Sequence, residues 1–410
     1  MKIFVASWFY VPVTTSEALV TFKLLANSEH EYVVCSAKSN KWSYKKESEM
    51  TSPNIRQYTI DTDDFDEFVE KAVETYKELS KTEKFDAIMT RSLPPESQYV
   101  GFKIRKLDPS VKWIASLADP IGNNPYETRF YFLENRHKLV RRLYLHAPHF
   151  FLDKVAPLIK KPAFQKLSQL NKLEKRVLRE ADIIITPTEA QASYIMHNPA
   201  LEAQKSLIVP HSYDERFYPA AVTKKNDKYT FTFIGQSDNY RSVEPIVRAV
   251  LMLKDTNPEF LEKIHVRLVG NIPATIKNMT YVFFLQNVIS IEPPCDYFQS
   301  LKIMQESDCL IHIDAPFDTL PNGSIFFAAK IADYLGAKRK ILGLTNKLSP
   351  AGKIITACGG LCCAPSAYDV AKNIVAIVRG AGDFNPEEAE KYASKNVAKD
   401  YDENLNRRLS

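Results

Sequence analysis

The stretch from Leu310 to Leu344 constrains the architecture of this chain most: L-I-H-I-D-A-P-F-D-T-L-P-N-G-S-I-F-F-A-A-K-I-A-D-Y-L-G-A-K-R-K-I-L-G-L. Its apolar run Leu310 to Ile313 predicts a buried strand, the prolines and Gly323 a loop, the next residues a helix from Ser324 to Leu335, and Lys340 to Leu344 a second strand. That is a β-α-β unit. In open parallel sheets ligands lie beyond the carboxyl ends of the strands, so a Gly323-Ser324-Ile325 loop aimed at a helix N-terminus is placed for phosphate. On the helix, Phe327, Ile331, Tyr334 and Leu335 share one apolar stripe, and Phe326, Lys330 and Asp333 line another. Taken alone, Lys330 and Asp333 read as an exposed ion pair worth about 0.2–0.5 kcal/mol.

The same rhythm runs through most of the 410 residues, too many for one core and a natural length for two domains. The first half predicts strands at 2–7, 31–35, 55–60, 86–90, 112–117, 181–188 and 206–210, with helices at 17–27, 63–80, 95–107 and 189–197. The second half restarts with a strand at 229–234, and Gly235 opens the loop G-Q-S-D-N-Y-R before a helix at 243–253. The inferred architecture is α/β, with two doubly wound Rossmann-like domains facing across a cleft. The expected boundaries are 1–218, a polar linker at 219–228, 229–385, and a C-terminal helix from 386 that packs back on the N-terminal domain.

Composition narrows the function. The chain is 45% hydrophobic and 25% charged, as soluble globular proteins are, and no apolar run reaches membrane-spanning length. The N-terminal run I-F-V-A-S-W-F-Y-V-P-V is broken by Pro12 and lacks a small-residue cleavage site, which points to a buried strand and a cytoplasmic protein. A net charge of +5 with mixed signs argues against nucleic acid as a partner. The six cysteines fit no zinc spacing and are read as reduced structural thiols. Residues 129–172 break the rhythm: Arg, Lys and His interleave there with Phe, Tyr and Leu. This segment is either a helical insertion with a solvated basic face or a contact with an anionic membrane surface. Asp119, before Pro120 at the carboxyl end of a predicted strand, is either a turn starter or a carboxylate on the ligand edge.

The order of these signals resembles the retaining glycosyltransferases of the GT-B fold, the large group known as family four, whose members build surface polysaccharides. K-L-E-K-R-V-L-R-E-A-D-I-I-I-T-P-T, I-V-P-H-S-Y-D-E-R-F-Y-P, F-T-F-I-G-Q-S-D-N-Y-R-S-V-E-P-I-V-R-A and I-E-P-P-C-D-Y follow the family's order, and A-K-I-A-D-Y-L-G-A-K-R-K-I-L-G-L resembles its Lys, two residues, acid, Tyr, Leu segment. The resemblance implies transfer of a sugar from a nucleotide-sugar donor to a lipid-linked or saccharide acceptor, with no cofactor and no metal. It places Gly235, Arg241, Pro294, Gly323, Ser324, Ile325, Lys330 and Asp333 at the donor, with Asp333 on the ribose hydroxyls. Arg241 or Lys330 would meet the charge that develops on the diphosphate. Asp119 would orient or deprotonate the acceptor hydroxyl. Thr14 and Thr15 stand in the acceptor-side loop, where the family often has a Gly-Gly pair. Two further departures are Gln236, where many members have Arg, and Ile325, where the first acid of the family's pair belongs. They leave two alternatives open: an inactive GT-B subunit supporting a partner transferase, or a nucleotide-sugar epimerase.

Overall fold

The first strand sets the pattern: Ile3 to Ala6 are fully buried, because a strand with neighbours on both sides and helices on both faces has no solvent edge for polar residues. The structure is a computed structural model describing residues 1–38, 50–122, 124–126, 162–218, 226–238, 240–317 and 320–409. Its strands are β1 (Lys2–Ala6), β2 (Glu31–Lys38), β3 (Ile55–Asp61), β4 (Ala87–Arg91), β5 (Lys112–Ser116), β6 (Ile183–Thr186) and β7 (Ser206–Ile208), then β8 (Tyr229–Gln236), β9 (Ile264–Asn271), β10 (Ile289–Glu292), β11 (Cys309–Ile313), β12 (Lys340–Leu344) and β13 (Leu361–Cys363). They form a seven-stranded sheet, β3-β2-β1-β4-β5-β6-β7, and a six-stranded sheet, β10-β9-β8-β11-β12-β13. Every pairing within these sheets is parallel. Each order reverses direction once, at β1/β4 in the first sheet and at β8/β11 in the second. That reversal splays the crossing loops apart and leaves a crevice at the carboxyl edge.

The chain divides into two compact units, Met1–Pro210 with Val397–Ser410, and His211–Asn396. The boundary expected from the sequence, at residue 218, lies eight residues further on. The segment after Pro210 goes with the second unit because Tyr213 N–H donates to the Tyr392 carbonyl (3.0 Å) and Ser394 N–H to that of Tyr213 (2.8 Å). Of the expected linker, residues 219–225 lie outside the described residues. The C-terminal segment is two helices, Pro386–Glu390 and Ser394–Leu409. Asp402 in the second anchors it within the first unit, accepting from Ser28 Oγ (2.6 Å) and Glu29 N–H (2.8 Å).

The first core packs Phe4, Trp113, Phe102 and Phe68 between sheet and helices. The second packs Phe231, Phe233, Ile264, Val266 and Leu268 of its sheet with the helix residues Val247 and Val250. Most of the 129–172 insertion lies outside the described residues; its last part belongs to the helix Pro162–Glu180. Among the described residues, no helix is long and apolar enough to cross a membrane.

Candidate functional site

In the second unit the helix of the β-α-β stretch begins later than its spacing predicts. It runs Ala329–Gly336, and the chain from Ser324 to Ala328 is not helical. Ile325, Phe326 and Phe327 are all buried, and β-branched and aromatic side chains hold an extended segment in the core more readily than they start a helix. The Gly323-Ser324-Ile325 loop therefore does not present amides at a helix N-terminus, which corrects that expectation. Instead Pro321–Gly323 forms a short 3-10 turn. Gly323 adopts φ +78°, which an L side chain rarely takes, although a Cβ there would meet nothing within 4 Å. Ser324 is buried and its Oγ accepts from Phe326 N–H (3.2 Å). Ile325 is fully buried and apolar, so no carboxylate occupies the place of the family's first acid.

Lys330 and Asp333 do not make the exposed pair. The Lys330 ammonium turns to the sheet and donates to the Ile234 carbonyl at the end of β8. Gly235 is glycine for this reason: its φ is +153°, and a Cβ there would stand 2.8 Å from Lys330 Nζ. Gly270, its partner on β9, would drive a Cβ to 2.0 Å from the Gly235 carbonyl oxygen. Asp333 is 7% exposed and accepts from Tyr297 Oη (2.9 Å), while Tyr218 Oη donates to the Asp333 carbonyl (2.7 Å). Tyr218 reaches that carbonyl because Gly336 leaves room, a Cβ there standing 2.4 Å from the Tyr218 oxygen.

Arg241 is placed by its own loop. Asp238 Oδ1 accepts from the backbone N–H groups of Tyr240 (2.7 Å) and Arg241 (2.8 Å), and Asp238 Oδ2 lies 4.0 Å from Arg241 Nη2. Such a turn, closed by an aspartate on amides two and three residues on, holds the backbone of Arg241 just past the end of β8 and leaves its side chain half-exposed. The cations feel one another. Burial and Arg241 push the Lys330 ammonium down to about 8, outweighing the opposing pull of Asp333.

Two cavities flank this cluster. One, of about 510 Å³, lies at the ends of β8, β9 and β10 and is lined by Gln236, Gly270, Asn271, Lys277, Glu292 and Pro294. The other, of about 500 Å³, lies at the ends of β11, β12 and β13 against Asp314, Asn322, Gly323, Ser324 and Thr345. Burial raises the Asp314 carboxyl, while hydrogen bonds from Thr345 and Ser324 pull the other way. The predicted donor residues thus separate into three places: Pro294 lines the first cavity, Gly323 and Ser324 the second, and Gly235, Arg241, Lys330 and Asp333 stand at or beside the strand-order reversal.

In the first unit Asp119 lies three residues past the end of β5, half-buried. Its loop is pinned from several directions. Ser92 Oγ accepts from Ala118 N–H (3.0 Å), Gln191 Nε2 donates to the carbonyls of Leu117 and Ala118 (3.1 Å each), and Glu174 Oε2 accepts from Ile121 and Gly122 N–H (2.8 and 2.9 Å). Burial raises the Glu174 carboxyl to about 8. Glu174 escaped the sequence reading, although an acid on the stripe of Leu170, Leu173 and Val177 was a legible signal. Thr15 caps the helix Ser16–Leu25, accepting from Ala18 N–H (3.3 Å), and Thr14 is a half-buried loop residue before it. Nearby, Arg91 pairs with Glu17 (2.7 Å), both almost wholly buried. Among the described residues, no group of His, Cys, Asp and Glu is arranged to hold a metal ion.

No family model and no curated protein matches the chain. Solved structures do. Sucrose-phosphate synthase of Thermosynechococcus elongatus superposes with a TM-score of 0.60 at 14% identity, covering 100% of this chain and 95% of its own. HepE of Anabaena, in complex with UDP and glucose, gives 0.62 at 12% identity with 99% of each chain covered. The lipopolysaccharide outer core galactosyltransferase WaaB gives 0.58 at 9% identity with both chains covered in full. Two parallel doubly wound units, matched to such enzymes along the whole length, make this chain a protein of the GT-B fold.

Proposed function

We propose that this protein is a glycosyltransferase that moves a sugar from a nucleoside-diphosphate sugar to a saccharide or lipid-linked acceptor, in surface polysaccharide assembly. The observation that carries this reading is the pairing of Lys330 and Arg241 at the β8/β11 reversal, with a cavity on either side, in a GT-B fold. The cavity at Gln236 and Pro294 suits a nucleobase, Asp333 the ribose hydroxyls, and the cations the diphosphate. As the bond from the anomeric carbon to the leaving oxygen breaks, negative charge grows on the diphosphate. Cations held beside it, the buried Lys330 and the half-exposed Arg241, lower that barrier. The acceptor hydroxyl oxygen forms the new bond, and Asp119 orients it or takes its proton. In the retaining course implied by the family resemblance, the attack comes on the leaving-group face, the departing phosphate takes the proton, Asp119 only orients the hydroxyl, and no metal takes part.

Release of nucleoside diphosphate from a panel of nucleotide-sugars, with and without lipid extract or oligosaccharide, is the test. Acceptor-dependent release supports transfer. Tight nucleotide binding with no turnover would move the assignment to a supporting subunit, the alternative that the buried Ile325 favours. Interconversion of free nucleotide-sugars would make it an epimerase. The 129–172 segment is assigned to an anionic membrane surface at the cytoplasmic face; co-sedimentation with phosphatidylglycerol vesicles that falls with salt supports this, and no binding at low salt sinks it.

A further inference from the structure

β11 alternates. Ile311 and Ile313 enter the core with Phe233, so the residue between them, His312, points to the opposite face, at the level where β8 ends and the sheet order reverses. It is 6% exposed, and its Nε2 has no hydrogen-bond partner among the described residues. An imidazole nitrogen buried without a partner costs free energy that a leucine in the same strand would not. The groups that act on the ring electrostatically are Arg241 and Lys330. Both are donors only, and Lys330 already donates to Ile234, so neither offers an acceptor to an Nε2–H. Together with burial they hold the imidazole down to about 3, and the ring is neutral at physiological pH. A neutral ring beside two cations adds a hydrogen-bond donor without adding repulsion.

We propose that His312 completes the diphosphate site as its third donor, giving a neutral Nε2–H to a phosphate oxygen held by Lys330 and Arg241. The group that satisfies all of them at once is an acceptor-only polyanion, which a nucleoside diphosphate supplies. This rests on the nucleotide-sugar reading and names His312 as a positioning residue for the leaving group.

The test uses the full-length protein, with UDP, GDP, ADP and pyrophosphate each titrated by calorimetry, and thermal unfolding measured in parallel without ligand. His312→Leu removes the donor and the unmet nitrogen together. The expected result is a Tm equal to or above wild type with diphosphate affinity about tenfold weaker. His312→Gln, which keeps an N–H near the Nε2 position, should recover most of that affinity and serves as the second variant if the leucine form does not fold. A purely structural histidine gives the opposite pattern, a lowered Tm with unchanged affinity, and overturns the inference. Lys330→Ala separates the two levels. If it weakens binding while His312→Leu does not, the site stands and the role of His312 falls. If the wild-type protein binds none of the four, both fall.

Discussion

At the carboxyl edge of the first sheet, polar groups are closed on one another: Arg91 on Glu17, Glu174 on the amides of Ile121 and Gly122, Gln191 on two carbonyls. At the same edge of the second sheet, Lys330 and Arg241 push against each other, and His312 keeps a nitrogen without a partner among the described residues. The same topology thus carries a set of side-chain bonds that pin a loop in one unit and a basic rim in the other. Hydrogen bonds from several directions hold a loop such as that of Asp119 in place, whereas a buried ammonium such as that of Lys330, beside a half-exposed Arg241, gains when an anion arrives to offset its lost hydration.

The largest expected effect breaks the first edge. Arg91→Ala leaves the Glu17 carboxylate buried without its partner, and should cost about 3–5 kcal/mol of stability by chemical denaturation. The pair Arg91→Met with Glu17→Leu should recover much of it. An unchanged denaturation midpoint in the single variant would show that the pair does not hold the edge. Next is Glu174. Its replacement by Ala orphans two amides and should cost about 2–4 kcal/mol, whereas Glu174→Gln keeps an acceptor and should cost under about 1 kcal/mol. The pH dependence has a definite sign. The folded carboxyl holds its proton up to about 8, above its ordinary 4.5, so the folded state binds more protons between those values. The Glu174 contribution is therefore full below about pH 4.5 and is lost as pH rises toward 8, and Glu174→Gln should flatten that slope in unfolding measured against pH.

On the second edge the effects are on binding. Lys330→Ala should weaken UDP binding about ten- to hundredfold, the range of a charge-assisted hydrogen bond, while leaving the stability of the first unit as it is. Equal affinity in calorimetry would remove Lys330 from the site. The smallest effect is again a titration. With the free ammonium at about 8 and a bound anion raising it, affinity is full below that value and falls above it, by up to about tenfold per pH unit. A flat profile from pH 7 to 9 would show that Lys330 does not meet the anion. The fall should be absent in Lys330→Ala.

Much of this was legible in the residues. Apolar runs of four to eight with helices between them identify parallel strands, because a strand buried on both faces cannot carry polar side chains at alternate positions. The strand expected at 229–234 is found as Tyr229–Gln236. Gly235 and Asp119 are visible as strand-end residues, and the Lys330-to-Asp333 spacing is visible as one face of a helix. The start of that helix was not legible, since Ser324 before an apolar run reads as a cap, and only packing of Ile325 and Phe327 into the core keeps the segment extended. Nor could spacing tell that Lys330 turns to the Ile234 carbonyl, 96 residues away, rather than to Asp333.

What the sequence determined by itself is the periodic content: two doubly wound halves, the order of their strands along the chain, and the loops that fall at their carboxyl ends. Only the tertiary structure decided which side chains meet there. Periodicity is a local property, set by how backbone geometry repeats over a few residues. Burial of a charge or an imidazole depends on strands far apart in the chain arriving side by side, and it is that arrival which gives Lys330 and His312 their unusual protonation and Glu174 its proton.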